Sequence, residues 1–419
     1  MHHFVYQDRE LYCENVPIRT IAEKVGTPFF LYSHATLERH FLTFDSAFEG
    51  LKRLVCFSAK ANSNLAILKL FAALGGGLDI VSGGELYRGL TAGFPPDRIV
   101  YSGVGKRVDE IDYALDTGIL MFNVESLDEL ELIDQRAGLL KKKAPVAIRV
   151  NPDVDAKTHP YISTGLKKNK FGIDTASAIK GYQIASDLKN IEIIGIDCHI
   201  GSQITDAKPF QEALASLKRL LGEIRKIGIH VRYLDMGGGL GITYDDESPP
   251  HPREYAESIF DSLKGEDLHL ILEPGRVIVG NAGILVTKVL FRKSSPSKEF
   301  IIADAGMNDL MRPTLYNAFH AIWPVTKTDN RMITADVVGP ICESSDFLAV
   351  DRQIPDVGKG DLLAVMSAGA YGFVMSSNYC SRLKAAEVMV KDDQFYVTKK
   401  RQTYEDLVAG ESIPEFLAS

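Results

Sequence analysis

The sequence predicts an α/β fold: a parallel (β/α)8 TIM-type barrel joined to a mostly antiparallel β domain. Three observations predict it. Eight short, β-rich apolar runs recur between residues 54 and 273, with helical periodicity between them. Several of these runs are apolar on consecutive residues, as strands covered on both faces are. Beyond about residue 280 the texture changes to short strand candidates separated by turn residues.

In order, the barrel runs are Leu54–Lys60, Leu78–Ser82, Ile99–Ser102, Leu120–Val124, Val146–Asn151, Ile191–His199, Val231–Met236 and Leu268–Glu273. Leu65–Leu74 carries apolar residues at helical spacing, and Ser126–Leu140 and Pro209–Ile227 are longer amphipathic stretches. The later strand candidates are Ile284–Phe291, Glu299–Ala303, Ile333–Val338, Asp361–Met366, and Val388–Val390 with Phe395–Thr398, the last two joined at Lys391–Gln394 by a hairpin turn. Phe4–Cys13 is also strand-like and is expected to join this β domain. The expected domains are thus a barrel over 28–280 and a β-sandwich or β-barrel-like domain from 1–27 with 281–419. The second domain is expected to contribute to the substrate site and to a dimer interface.

The chain has 419 residues, enough for two or three domains, and 45% hydrophobic content, typical of a water-soluble globular protein. A net charge of −8 argues against a nucleic-acid partner. There is no apolar stretch of membrane-crossing length, and Met1-His2-His3-Phe4 does not open a secretory signal. Cys13, Cys56, Cys198, Cys342 and Cys380 are scattered, odd in number and without paired metal spacing, which fits a reducing cytoplasm and predicts no metal.

The ends of the runs hold most of the unusual chemistry. In a barrel these ends form one rim, which carries the active site. Lys60 closes the first run; a lysine in a partly dry site loses some of its preference for the ammonium form and can attack an aldehyde to hold a Schiff base. Alone, it reads equally as a surface lysine lying along apolar surface. Asp79 and Glu85 lie near the end of the second run. His199, in His199-Ile200-Gly201-Ser202-Gln203, suits a ligand, a base or a ring stacked on a flat cofactor, and equally a satisfied core histidine. Gly237-Gly238-Gly239-Leu240-Gly241 follows the seventh run. Loops there often bind phosphate, although a tight strand-to-helix turn would look the same; Ser202 could add a hydroxyl. In Glu273-Pro274-Gly275-Arg276, a carboxylate facing a pyridine nitrogen would keep that nitrogen protonated, or would pair with an arginine.

The C-terminal half adds three stretches. Gly339-Pro340-Ile341-Cys342-Glu343-Ser344-Ser345-Asp346 sets a thiol beside a carboxylate, so that Cys342 could act as a general acid or sit as an inert buried thiol. Arg276 and Arg312 with Tyr316 could clamp a substrate carboxylate, or the arginines could form surface ion pairs. Ala368-Gly369-Ala370-Tyr371-Gly372 places a tyrosine among small residues, suited to close approach of a ligand.

Taken in order, these motifs resemble the alanine-racemase-like (fold type III) pyridoxal-phosphate decarboxylases, and among them the diaminopimelate decarboxylases. The resemblance runs from about Thr27 to beyond Tyr379 and rests on six motifs: Phe57-Ser58-Ala59-Lys60-Ala61-Asn62, the His199 and triple-glycine segments, Glu273–Arg276, Gly339–Asp346 and Ala368–Gly372. It implies decarboxylation of meso-2,6-diaminopimelate to L-lysine and carbon dioxide, the last step of lysine biosynthesis. It implies that Lys60 carries pyridoxal 5′-phosphate, that His199 stacks on the ring, that Glu273 meets its nitrogen, and that Asp79 lies in the ring pocket. Ser202, Gly238, Gly239, Gly275, Arg276 and Tyr371 are implied around the phosphate. Arg276, Arg312 and Tyr316, with Glu343 and Tyr371, are implied at the substrate. Cys342 would return a proton to Cα, and Cys342 with Glu343 would reach the partner's site in a homodimer. Arg312–Tyr316, Cys342–Asp346 and the stretch Thr158–Gly165 with Lys170-Phe171-Gly172 match the diaminopimelate pattern. They do so better than that of the decarboxylases of ornithine, lysine or arginine, whose substrates end in a cation. A carboxynorspermidine decarboxylase, a racemase and a non-catalytic pyridoxal-phosphate carrier stay open as alternatives. Asp153–Lys170 is the expected closing loop.

Overall fold

Strand-and-helix alternation closes on itself in the computed structural model, which describes residues 2–155 and 170–417. Arg53–Ser58, Gly77–Ile80, Ile99–Tyr101, Met121–Val124, Ala144–Asn151, Ile191–Asp197, Tyr233–Asp235 and His269–Leu272 pair in parallel, each with the next. The last returns to the first through Leu270 opposite Arg53 and Leu272 opposite Val55. The ring therefore has no edge within this set. Cys56, Val100, Met121, Ala147, Ile194 and Ile271, taken from six of the strands, pack as one buried cluster. Each such side chain contributes about 1–3 kcal/mol by leaving water. This fold class is the one the sequence pattern predicts.

Local chemistry starts and stops the helices. Asn64, Ser82, Ser126 and Asp174 accept backbone N–H groups at helix N-termini, each cap stabilising by about 1 kcal/mol. Gly93 and Gly118 end two helices in the left-handed conformation. The helices Leu65–Ala73, Leu127–Leu139 and Lys208–Lys226 fall where the periodicity places them. Residues 37–280 form one compact unit.

The other unit comprises residues 1–36 and 281–419. Its spine is the twelve-residue strand Gly283–Ser294, which pairs antiparallel with Phe29–Ser33, Leu362–Val365 and Glu299–Ala303 along its length. Phe29, Leu31, Ile284, Val286, Val388 and Val390 are buried in its core. Most pairings are antiparallel; Phe29–Ser33 with Ala386–Lys391, and Glu299–Ala303 with Met332–Val338, are parallel.

Three details differ from the sequence reading. Phe4–Cys13 joins the β unit as expected, burying Phe4, Leu11 and Cys13 in its core, but as a hairpin of Phe4–Gln7 and Glu10–Cys13 turned at Asp8, which has positive φ, and paired with Val16–Pro17 in a small separate sheet. Phe29–Ser33, Ile322–Pro324 and Phe347–Pro355 are strands that the pattern did not single out. The first barrel strand ends at Ser58, so Lys60 sits in the 3-10 turn Ala59–Ala61 beyond it. Residues 156–169 of the expected closing loop lie outside the described residues. Among the described residues no helix is long and apolar enough to cross a membrane.

Candidate active site

The turn that carries Lys60 leaves its side chain about 31% exposed and aims its ammonium at Asp79 of the neighbouring strand, to which it donates. Asp79 is fully buried. Its Oδ2 also lies 2.9 Å from Ser58 Oγ, while Oδ1 has no hydrogen-bond partner among the described residues. Lys60 is thus held by a buried counter-charge, not by dryness alone. Glu85, at the start of the following helix, accepts the Val81 N–H at 2.7 Å, and burial pushes its carboxyl up to about 7.

Across the barrel, three acidic side chains from the sixth, seventh and eighth strand ends converge. Oxygen atoms of Asp197, Asp235 and Glu273 all lie within 4.8 Å of one another. Burial together with Asp235, Asp79 and Asp197 holds Glu273 well above the usual carboxylate range, and burial raises Asp235 to about 6. Charges so close in a dry interior cannot all be ionised, so protons stay on some of them. Asn123 Nδ2 lies 3.2 Å from Asp235 Oδ2 and 3.3 Å from Glu273 Oε1, and Ser102 Oγ lies 3.3 Å from the same Glu273 oxygen. Arg149 balances part of this charge. It donates to Glu125 at 2.7 Å and to the His199 carbonyl at 3.3 Å, with Asp197 3.8 Å away.

His199 accepts the Gly238 N–H at Nδ1, 3.1 Å away, which leaves the ring proton on Nε2. Desolvation, Arg149 and Lys60 hold its pKa well below the ordinary value, so the imidazole is neutral. The loops after the sixth and seventh strands are zipped side by side. Ile204 N donates to Gly239 O and Gly241 N to Ile204 O, both at 2.9 Å, and the Gln203 amide bonds the Ile242 backbone twice. Glycine is required at 238, where a Cβ would come within 2.1 Å of the Glu273 carbonyl oxygen, and at 239, where φ is +123°. Beside these loops the buried Arg276 donates to Ser202 Oγ at 3.1 Å and to Tyr244 Oη at 2.7 Å. A Cβ on Gly275 would meet Ala61 and Ser58 at 2.9 and 3.1 Å, so the eighth loop closes tightly on the first.

The barrel rim therefore brings together Lys60, Asp79, His199, Ser202, Gly238, Gly239, Glu273, Gly275 and Arg276. The remaining predicted residues belong to the other unit. There Arg312 is buried at the start of Arg312–Tyr316, 2.8 Å from His320 Nε2, while His320 Nδ1 donates to Met366 O at 2.8 Å. Cys342 and Glu343 are exposed. Glu343 accepts from Ser345 at 2.6 Å and Tyr379 at 2.7 Å, which lowers its pKa. Tyr371 adopts a positive φ of 55° in its small-residue loop. Arg149, Glu125, Asp197, Asp235, Asn123 and Tyr244 were not singled out from the sequence. Each of the first five is a polar residue inside or directly after an apolar barrel run, a placement that signals an inward-facing position at a strand end.

Residues 34–280 match the family model described as pyridoxal-dependent decarboxylase, pyridoxal binding domain. The chain is 51% identical over 404 residues to the diaminopimelate decarboxylase of Aquifex aeolicus, covering 96% of each. It is 51% identical to that of Haemophilus influenzae, covering 98% of this chain and all of that one. Among solved structures, diaminopimelate decarboxylase from M. jannaschii in co-complex with L-lysine superposes with a TM-score of 0.95 at 38% identity, over the whole of both chains.

Proposed function

The chain belongs to the pyridoxal-dependent decarboxylases, and within them to the diaminopimelate decarboxylases, and from this premise we propose that it converts meso-2,6-diaminopimelate to L-lysine and carbon dioxide at the barrel rim. The observation that carries the reading is identity of 51% over 96% of both chains. The cofactor is pyridoxal 5′-phosphate, and the enzyme is a lyase of amino-acid biosynthesis working in the cytoplasm.

The residues at the rim fit such a cofactor. Asp79 keeps one buried carboxylate oxygen with no hydrogen-bond partner among the described residues. The Ser202 hydroxyl, whose oxygen accepts from Arg276, and the Arg276 guanidinium form a donor set suited to a phosphate, beside glycines whose missing side chains leave it room. When bound, pyridoxal phosphate supplies an electron sink for the pair left at Cα as the carboxylate departs.

The chain's own side chains do the rest. Lys60 is the amine that holds the cofactor covalently, and Asp79 orients it. Ser202, Gly238, Gly239, Gly275, Arg276 and Tyr371 bind the phosphate. Glu273, whose environment favours the protonated carboxyl, holds a proton at the ring nitrogen's position. His199 offers a neutral face, its Nδ1 already committed to Gly238. Arg276, Arg312 and Tyr316, with Glu343 and Tyr371, hold the substrate's far carboxylate and amine. Cys342 returns a proton to Cα. Cys342 and Glu343 act in the partner's site, so the working unit is a homodimer. A buried guanidinium such as Arg312 suits a second carboxylate and disfavours the cationic ends of ornithine, lysine or arginine.

The test is carbon dioxide release from a panel of diaminopimelate, ornithine, lysine, arginine and carboxynorspermidine. Release from diaminopimelate alone is expected. Lys60→Ala should lose the cofactor's visible absorbance and nearly all turnover. Mixing Lys60→Ala with Cys342→Ala protein should restore activity through hybrid dimers, and silence of the mixture would remove the shared-site dimer.

A further inference from the structure

We propose that a cavity in the β unit, lined by none of the residues assigned above, binds a free α-amino acid, with its ammonium against Asp309 and Asn308 and its carboxylate against Arg401 and Arg382. The cavity has a volume of about 380 Å³, within the usual range for small-molecule sites. Its floor holds Asn308 and Asp309, 2% and 1% exposed. Asp309 Oδ2 accepts the Gly306 N–H at 3.2 Å. Its other oxygen, and Oδ1 of Asn308, have no hydrogen-bond partner among the described residues. Burial raises the Asp309 carboxyl to about 7, outweighing the attraction of Arg382 and Arg401 across the cavity.

The other wall carries positive charge in the same condition. Arg401 donates through Nη2 to the carbonyls of Gly26 and Pro28, at 3.0 and 2.7 Å, and Arg382 to the carbonyl of Asp304 at 3.4 Å. Each guanidinium has five N–H donors. Among the described residues neither forms an ion pair, although Asp309 lines the same cavity. A half-buried cation and a buried carboxylate that attract across the cavity without touching leave desolvation only partly compensated on both sides. A simple anion would relieve only the arginines and a simple cation only Asp309. A small zwitterion relieves both, and an α-amino acid carries its two charges at that short separation. The volume leaves space for a side chain of several carbons.

The proposal stands independently of the catalytic reading and is tested on the full-length holoenzyme by equilibrium dialysis. The probes are labelled L-lysine, L-alanine and L-glutamate, chosen to span cationic, neutral and anionic side chains. At least one probe should bind at a site that survives saturation of the catalytic centre by substrate analogue. Asp309→Asn and, separately, Arg401→Gln should weaken that site by about tenfold or more, the loss of a charge-assisted hydrogen bond. Cofactor absorbance and KM should be unchanged. Acetate and methylamine should compete poorly when alone. Failure of all three probes to bind beyond the catalytic centre overturns the proposal. So does a second site whose affinity stays within twofold in the Arg401→Gln variant, which keeps the buried floor intact should Asp309→Asn fail to fold.

Discussion

Lys60, Lys106 and Arg149 of the barrel each lie against a carboxylate, those of Asp79, Glu129 and Glu125, whereas among the described residues Arg382 and Arg401 of the β unit donate only to backbone carbonyls. In the barrel the imbalance is on the acidic side. Asp79, Glu125, Asp197, Asp235 and Glu273 are all buried, and protons make up the difference. In the β unit the imbalance is on neither side, yet the opposite charges stay apart. The contrast teaches how to read buried charge. Where counter-charges meet, they hold strands in place; where they line one cavity without meeting, they address something that enters it.

The comparison can be broken most forcefully at Arg149. Arg149→Met would strand Glu125 and Asp197 in the interior. It should cost about 3–5 kcal/mol of stability, read from urea denaturation. A loss under about 1 kcal/mol would mean that these pairs do not hold the barrel.

A smaller effect should come from Asp235. Its folded pKa of about 6 lies above the ordinary 3.8, so between those values the native state keeps a proton that the unfolded chain has released. Stability therefore falls as pH rises through that window. Asp235→Asn removes the titrating proton and should flatten that part of the stability-versus-pH curve by on the order of 3 kcal/mol. An unchanged slope would place the proton elsewhere in the cluster.

The least costly change should be Arg382→Gln, which gives up one long hydrogen bond to a carbonyl. Its thermal and urea midpoints should shift by less than about 1 kcal/mol. A loss near that of Arg149→Met would show that Arg382 serves the scaffold and not the cavity.

Much of this was legible in the sequence because barrel strands advertise themselves. Runs such as Val146–Asn151 are apolar on both faces, and the glycine, histidine and Glu-Pro-Gly-Arg segments stand at their ends. Phe29–Ser33 escaped notice because five buried residues in a row, read without their partners, look like any apolar link between helices. Phe347–Pro355 escaped because Val350 and Asp351, exposed in succession, break the alternation. At the site, Lys60 could be picked out by its motif, but not its counter-charge geometry, which depends on where the chain bends after Ser58. The carboxyl cluster was invisible for a different reason. Asp197, Asp235 and Glu273 are nearly forty residues apart in successive steps, and only closure of the ring makes neighbours of them. Arg149 was hidden among apolar residues, and nothing local says that its guanidinium meets two carboxylates.

The zipped turns around Ile204 and Leu240 set a rule for anyone who would transplant this pair of loops. Each segment is braced by hydrogen bonds from the other, so a single grafted glycine loop would leave backbone groups of Ile204, Gly239 and Gly241 without these partners. The portable cassette is the pair, 199–204 with 237–242, carried on two adjacent strands in their native register.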